Sequence, residues 1–227
     1  MSEISRLLST LKNNGIRISN EIENALLKVS VEDFTDFDCN DFYLDRPILF
    51  FEDEDGNCKT ISAPHMIISM IDNLELSEGS NVVVYGGKGG FVSAIIAHII
   101  GEEGRVTIID PNQNIVDHIN NRLAMYPTVS CLNTSEIIEN DFLNDVNRLL
   151  VTGQIGKIPD WIEGKIAPGG FVLAPIGNTV SQRLLKIENH IFTLKNYGLA
   201  KADITAPIGK QSKKYIDILG GCFAVEC

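Results

Sequence analysis

A chain of 227 residues, 44% of them hydrophobic, is long enough for one domain with its own core and is neither fibrous nor disordered in composition. Its 30 acidic and 19 basic residues leave a formal charge of −11, which argues against nucleic acid as a main partner, because phosphate binding needs a basic surface. The five cysteines are scattered without a C-x-x-C, and His65, His98, His118 and His190 lie far apart, so neither a disulfide framework nor a zinc site is expected.

No apolar run reaches the roughly 18 residues a membrane span needs. The opening MSEISRLLSTLKNN lacks the charged-then-apolar order of a secretory signal. The expectation is a cytoplasmic protein with no membrane partner. In chain order, Ile4, Leu7, Leu8 and Leu11 at helical spacing predict an amphipathic helix that stops near Gly15. NEIENALLKV (20–29) predicts a second helix. Residues 30–58 are acidic, carry several Phe and show little periodicity, so extended or irregular structure is expected there. Ser62-Ala63-Pro64 then opens a helix, with Ser62 as its N-cap, Pro64 in the first turn, and Met66, Ile67, Met70, Ile71 and Leu74 on one face.

From residue 81 the rhythm changes. NVVVY is short, apolar and β-branched, as a strand buried on both faces should be. It breaks at GGKGG (86–90), after which VSAIIAHII (92–100) predicts a helix. RVTIID (105–110) is a second buried strand, NIVDHINNRLAMY (114–126) a helix, TVSCL (128–132) a strand and NRLLVT (147–152) a fourth. IPDWIEGKI (158–166) predicts a helix and GGFVLAPIG (169–177) a fifth strand. Such alternation specifies a doubly wound, mostly parallel α/β sheet with right-handed crossovers. The tail from about residue 183 is expected to add strands at the sheet edge.

In such a sheet, ligands bind at the carboxyl ends of the strands. The glycines of GGKGG let backbone approach a ligand closely, and the next helix aims its free N–H groups at the same crevice. Asp110 ends the following strand about twenty residues later, where an acid can accept both hydroxyls of a ribose. Together they favour a nucleoside-containing ligand; the bland alternative is a tight turn beside a solvent-exposed Asp. A P-loop does not fit, because Lys88 is followed by Gly89 instead of Ser or Thr.

KTISAPHM (59–66), followed by a helix, a strand and a glycine turn, resembles the protein-L-isoaspartate O-methyltransferase family, whose members carry T-I-S-x-P before their S-adenosylmethionine loop. VSVEDF (29–34) resembles the family's V-P-R-E-x-F, and YLDRPI (43–48) its Y-x-D-x-x-L/I. Residues 151–177 follow its V-x-A-A-A-P-x-x-P-x-x-L-x-x-Q-L-x-P-G-G-x-L-V-x-P-V-G without a gap. The likeness covers roughly residues 20–180 and implies a single Rossmann-like methyltransferase domain over 1–227. Its parts would be a helical and extended N-terminal part (1–78), a cofactor-binding core (79–180) and C-terminal edge strands (181–227). It also implies methyl transfer from S-adenosylmethionine to the α-carboxylate of isoaspartyl residues in damaged proteins or peptides. By the same resemblance Ser62 is the catalytic-site residue, and Thr60 and Ile61 line the cofactor pocket. Gly86, Gly87, Lys88 and Gly90 hold the cofactor, Asp110 takes its ribose, and Ser135 stands near its adenine.

The cofactor half departs from the family pattern. Where V-L-E-I-G-T-G-S-G is usual, this chain has VVVYGGKGG, with Val84 for the acid and Lys88 for the second glycine. Ser135 replaces the acid of G-D-G, and Gln154-Ile155-Gly156 replaces A-A-P. Two readings follow: a methyltransferase with an altered cofactor pocket, or a non-catalytic relative that binds peptides or serves as a partner protein.

Overall fold

The structure, a computed structural model, describes residues 2–139, 146–156, 166–177, 182–189 and 213–221. Its centre is a seven-stranded sheet. Five strands run parallel: β3 (Asn81–Tyr85), β4 (Arg105–Asp110), β5 (Val129–Asn133), β6 (Arg148–Val151) and β7 (Phe171–Gly177). Two antiparallel strands, β8 (Gln182–Asn189) and β9 (Lys213–Gly221), extend one edge, giving the order β5-β4-β3-β6-β7-β8-β9. The chain leaves β3 toward β4 on one side and returns to β6 on the other, so strand order reverses at β3.

NVVVY is continuously apolar because both faces of β3 are covered. Val82 and Val84 belong to the larger core, with the helices α2 (Asn20–Lys28), α4 (Pro64–Asn73) and α5 (Phe91–Ile100), whereas Val83 joins Ile109, Leu149, Val151 and Val172 on the opposite face. α5 is buried nearly all round, lying between the sheet and the N-terminal helices. α1 (Glu3–Asn13) buries Leu7, Leu8 and Leu11 and ends ahead of Gly15, as its spacing predicts. Phe91, first residue of α5, meets Phe34 and Phe42 edge-on at centroid distances of 5.6 and 5.4 Å. Such pairs add about 0.5–1.5 kcal/mol each beyond burial. They fasten the segment before residue 43 onto the residue that follows the glycine turn.

Three sequence expectations change. Residues 30–58 are more ordered than their composition predicts: a short helix α3 (Asn40–Tyr43) precedes a hairpin of β1 (Ile48–Glu52) and β2 (Cys58–Ile61). Its turn is built by Asp53, which accepts the Asp55 and Asn57 N–H groups, and by Gly56 at φ 81°. An Asp-Gly turn explains why an acidic stretch folds back instead of trailing. Second, Ser62 is not the N-cap of α4: Ala63 holds that position and Pro64 is N1. The missing acceptor comes from Asp45, whose Oδ1 takes the His65 N–H at 2.9 Å and whose carboxylate also contacts His65 Nδ1. Third, the helix α6 (Gln113–Arg122) closes at Leu123, short of Tyr126. Residues 158–165 of the expected IPDWIEGKI helix lie outside the described residues.

Candidate active site

A cavity of about 420 Å³ opens at the carboxyl edge of the sheet, where strand order reverses. Tyr85, Gly86, Gly87 and Lys88 line it after β3; Asp110, Pro111, Asn112 and Ile115 after β4; and Val151 to Ile155 after β6. Phe50 and Lys59, from the hairpin, complete the wall.

The glycine turn is shaped by its contacts. Gly86 has φ 91°, and a Cβ there would lie 2.6 Å from Thr152 Oγ1, so no side chain fits. Thr152 Oγ1 instead donates to the Gly86 carbonyl at 2.7 Å, while the Thr152 N–H donates to the Tyr85 carbonyl at 3.0 Å. Gly89, at φ 70°, passes under the hairpin, where a Cβ would stand 3.1 Å from the Phe50 ring and 3.2 Å from the Phe34 carbonyl. Between them Lys88 adopts φ 44°, left-handed backbone that costs an L residue roughly 1–2 kcal/mol. Its side chain is only 8% exposed.

Asp110 is 6% exposed, and its carboxylate holds two backbone donors: the Gly87 N–H at 2.9 Å on Oδ2 and the Asn112 N–H at 3.0 Å on Oδ1. Each oxygen keeps a second lone pair for a ligand hydroxyl. Burial, then the Asp110 carboxylate, pushes the Tyr85 phenol up, so it stays protonated and can donate. Gln154 Nε2 donates to the Gly177 carbonyl at 3.0 Å, and Ile155 bridges to Ile176, so the loop after β6 is held against the end of β7.

The sheet therefore brings Gly86, Gly87, Lys88 and Asp110 to one cavity. The other residues singled out in the sequence stand outside its wall. Thr60 is half-buried on β2; Ile61 has no exposed surface and pairs with Ile48 in the core. Ser62 is 9% exposed and directly precedes Ala63, the N-cap of α4. Gly90 caps α5 at φ 91° and donates its N–H to the Gly87 carbonyl at 2.8 Å. Ser135 is exposed, and its hydroxyl donates to Asn133 Oδ1 at 2.8 Å. Sequence reasoning missed Phe50, Lys59, Asn112, Thr152 and Gln154. Of these, Thr152 carried a readable signal, because it stands one residue past a buried parallel strand, on the rim that such strands share.

A parallel sheet reversing at β3, a glycine turn pinned by the acid of the next strand, and an antiparallel extension define a Rossmann-like methyltransferase fold. The model of the protein-L-isoaspartate(D-aspartate) O-methyltransferase (PCMT) family matches residues 2–196, and the chain belongs to that family. A protein-L-isoaspartate O-methyltransferase from Methanothrix thermoacetophila is 29% identical over 188 residues, covering 82% of this chain and 86% of that one. One from Methanosarcina mazei is 28% identical over 207 residues, 89% of this chain and 82% of its own. Among solved structures, a putative protein-L-isoaspartate O-methyltransferase from Plasmodium falciparum, in complex with S-adenosyl-L-homocysteine, shares the fold with a TM-score of 0.70. It is 19% identical and covers 100% of this chain and 99% of that one. A further protein-L-isoaspartate O-methyltransferase has a TM-score of 0.70 at 21% identity; it is matched over 81% of this chain and only 58% of its own length.

Proposed function

We propose that this protein transfers a methyl group from S-adenosylmethionine to the α-carboxylate of L-isoaspartyl residues in damaged proteins. The observation that carries the reading is the Asp110–Gly87 bond, which fixes the Gly86-Gly87 backbone and an acid together at the sheet's switch point. The residues present fit the cofactor. A cavity of about 420 Å³ lies within the range of about 300–1,000 Å³ typical of small-molecule sites. Gly86 offers backbone where a Cβ has no room, Asp110 retains lone pairs for ribose hydroxyls, and Tyr85 offers a hydroxyl donor. Lys88 stands in the wall without filling the space.

When bound, the cofactor supplies a sulfonium methyl that moves to the carboxylate oxygen as the S–CH₃ bond breaks, its electron pair staying on sulfur. The acceptor is already ionised near neutral pH, so the protein has no proton to remove. Its task is to hold two partners in line, and such positioning can supply about 7–11 kcal/mol of the barrier. Gly86, Gly87 and Lys88 would carry the cofactor's backbone contacts and Asp110 its ribose, with Gly90 fixing the helix start behind them. Ser62, held at the start of α4, would orient the substrate carboxylate. Ile61 would anchor Ser62 in the core, and Thr60 and Ser135 would border the site from β2 and from the end of β5.

The test is methyl transfer from radiolabelled cofactor to an L-isoaspartyl peptide, with its normal aspartyl isomer as control. Base-labile methyl ester on the first peptide only is expected; labelling of neither refutes the reading. Ser62→Ala is expected to lower turnover at least about tenfold, the scale of one lost positioning contact, with an unchanged urea midpoint. Unchanged turnover would remove Ser62 from the mechanism.

A further inference from the structure

Tyr85 is the last residue of β3, the strand at which strand order reverses. Its backbone is pinned from both sides: it pairs with Ile109 of β4 and with Val151 of β6, and its carbonyl accepts the Thr152 N–H at 3.0 Å. Side chains alternate along a strand. Val84 is therefore buried in the larger core with the helices, while Tyr85 lies on the opposite face, half-buried, in the wall of the cavity. The family pattern V-L-E-I-G has isoleucine at this position; this chain has a phenol. An apolar strand end thereby gains one polar atom at the switch point, and a tyrosine in such a setting usually gives its hydroxyl a hydrogen-bonding role.

The cavity crosses three strand ends in the order β4, β3, β6. On the β4 flank, beyond Asp110, the wall continues as Pro111, Asn112 and Ile115, and the Asn112 side chain is turned to cap α6 by accepting the Asn114 N–H at 2.9 Å. That flank is mostly apolar. Toward β6 the wall holds Tyr85 and Gln154, whose Nε2 donates to the Gly177 carbonyl at 3.0 Å. Ribose is the middle of S-adenosylmethionine, with a flat base on one side and an amino acid, carrying an ammonium and a carboxylate, on the other. With the ribose on Asp110, the base suits the apolar β4 flank and the charged amino acid falls to the β3–β6 side. We propose that the Tyr85 hydroxyl donates to the carboxylate at the amino-acid end of the cofactor, a contact that isoleucine there cannot make. The inference rests on the cofactor assignment above and deepens it. A phenol donates one hydrogen bond and accepts others, so this role is compatible with a further partner at the same oxygen. Burial and the Asp110 carboxylate keep the phenol protonated, as a donor has to be. A hydrogen bond to a charged group changes an affinity by about tenfold or more.

The experiment is calorimetric titration of the full chain with S-adenosylhomocysteine and with methylthioadenosine, which lacks the amino-acid end, for the wild type, Tyr85→Phe and Tyr85→Ile. The wild type is expected to favour S-adenosylhomocysteine by at least about tenfold, and both variants to cut that preference by about tenfold through weaker binding of S-adenosylhomocysteine alone. A ratio unmoved in the variants, with both ligands still binding, overturns the role of Tyr85 and leaves the cofactor assignment standing. Equal weakening of both ligands makes the phenol a matter of pocket shape and overturns the proposal as well. Binding of neither ligand by the wild type at millimolar concentration overturns the cofactor assignment and this inference with it. If neither variant folds, a crystal structure of the wild type with S-adenosylhomocysteine decides: the ligand carboxylate within hydrogen-bond reach of the Tyr85 hydroxyl supports the proposal, and a carboxylate turned away from it overturns it.

Discussion

The buried Asp110 carboxylate accepts the Gly87 N–H at 2.9 Å, joining the end of β4 to the middle of the glycine turn after β3. Its other oxygen takes the Asn112 N–H at 3.0 Å. One side chain therefore sets both loops of the crevice. Asp110→Ala leaves two backbone donors without their acceptor, and hydrogen bonds to a charged group contribute about 1.5–3 kcal/mol each. We expect a loss of about 3–6 kcal/mol in urea unfolding and loss of S-adenosylhomocysteine binding by calorimetry. Wild-type stability would show that the carboxylate does not organise the turn.

Thr152 closes the same turn from β6 by donating its hydroxyl to the Gly86 carbonyl at 2.7 Å. Thr152→Val keeps the shape and removes the donor, so it should cost about 1 kcal/mol in urea unfolding. Thr152→Ser should restore most of it. Equal midpoints for Val and Thr would mean that the carbonyl finds another donor.

At Lys88 the usual ranking of alanine above glycine should invert. The backbone there has φ 44°, which penalises any Cβ. Lys88→Gly is expected to be more stable than Lys88→Ala by about 1 kcal/mol. Urea midpoints of the two variants check this, and alanine equal to or above glycine would contradict the left-handed conformation.

His118, on α6, packs against the Phe50 ring at a centroid distance of 5.8 Å. Burial holds its pKa below the usual 6.5; Arg122 pushes the same way, while the Phe34 carbonyl and Asp36 oppose. The unfolded chain therefore takes up this proton more readily than the folded one. Stability attributable to His118 is complete above pH 6.5 and falls as pH drops through the lowered folded value. Urea midpoints at pH 7.5 and pH 5.5 should diverge less in His118→Gln than in the wild type, and equal divergence in both would remove His118 from the acid sensitivity.

Much of this architecture was legible in the sequence, for physical reasons. NVVVY and RVTIID read as strands because both faces are covered, which removes polar residues from the run. GGKGG reads as a tight turn because positive φ and close approach leave few alternatives to glycine at Gly86, Gly89 and Gly90. Ser62 misled because Ser before Ala-Pro has the composition of a cap, whereas the acceptor actually used is Asp45, 20 residues before His65. The β1–β2 hairpin was hidden by its acidity, since DEDG reads as a solvated run until the Asp53 side chain is seen to collect the turn's N–H groups. Gln154 and Lys59 reach the site only through strand pairing and hairpin packing, which no local pattern encodes.

The most direct test is a crystal structure of the full chain grown with S-adenosylhomocysteine. Density for the ligand between the Gly86–Lys88 turn and Asp110, with the ribose hydroxyls on that carboxylate, is the result expected. A crevice closed by the Lys88 or Tyr85 side chain, or the ligand bound at another place on the protein, would contradict it.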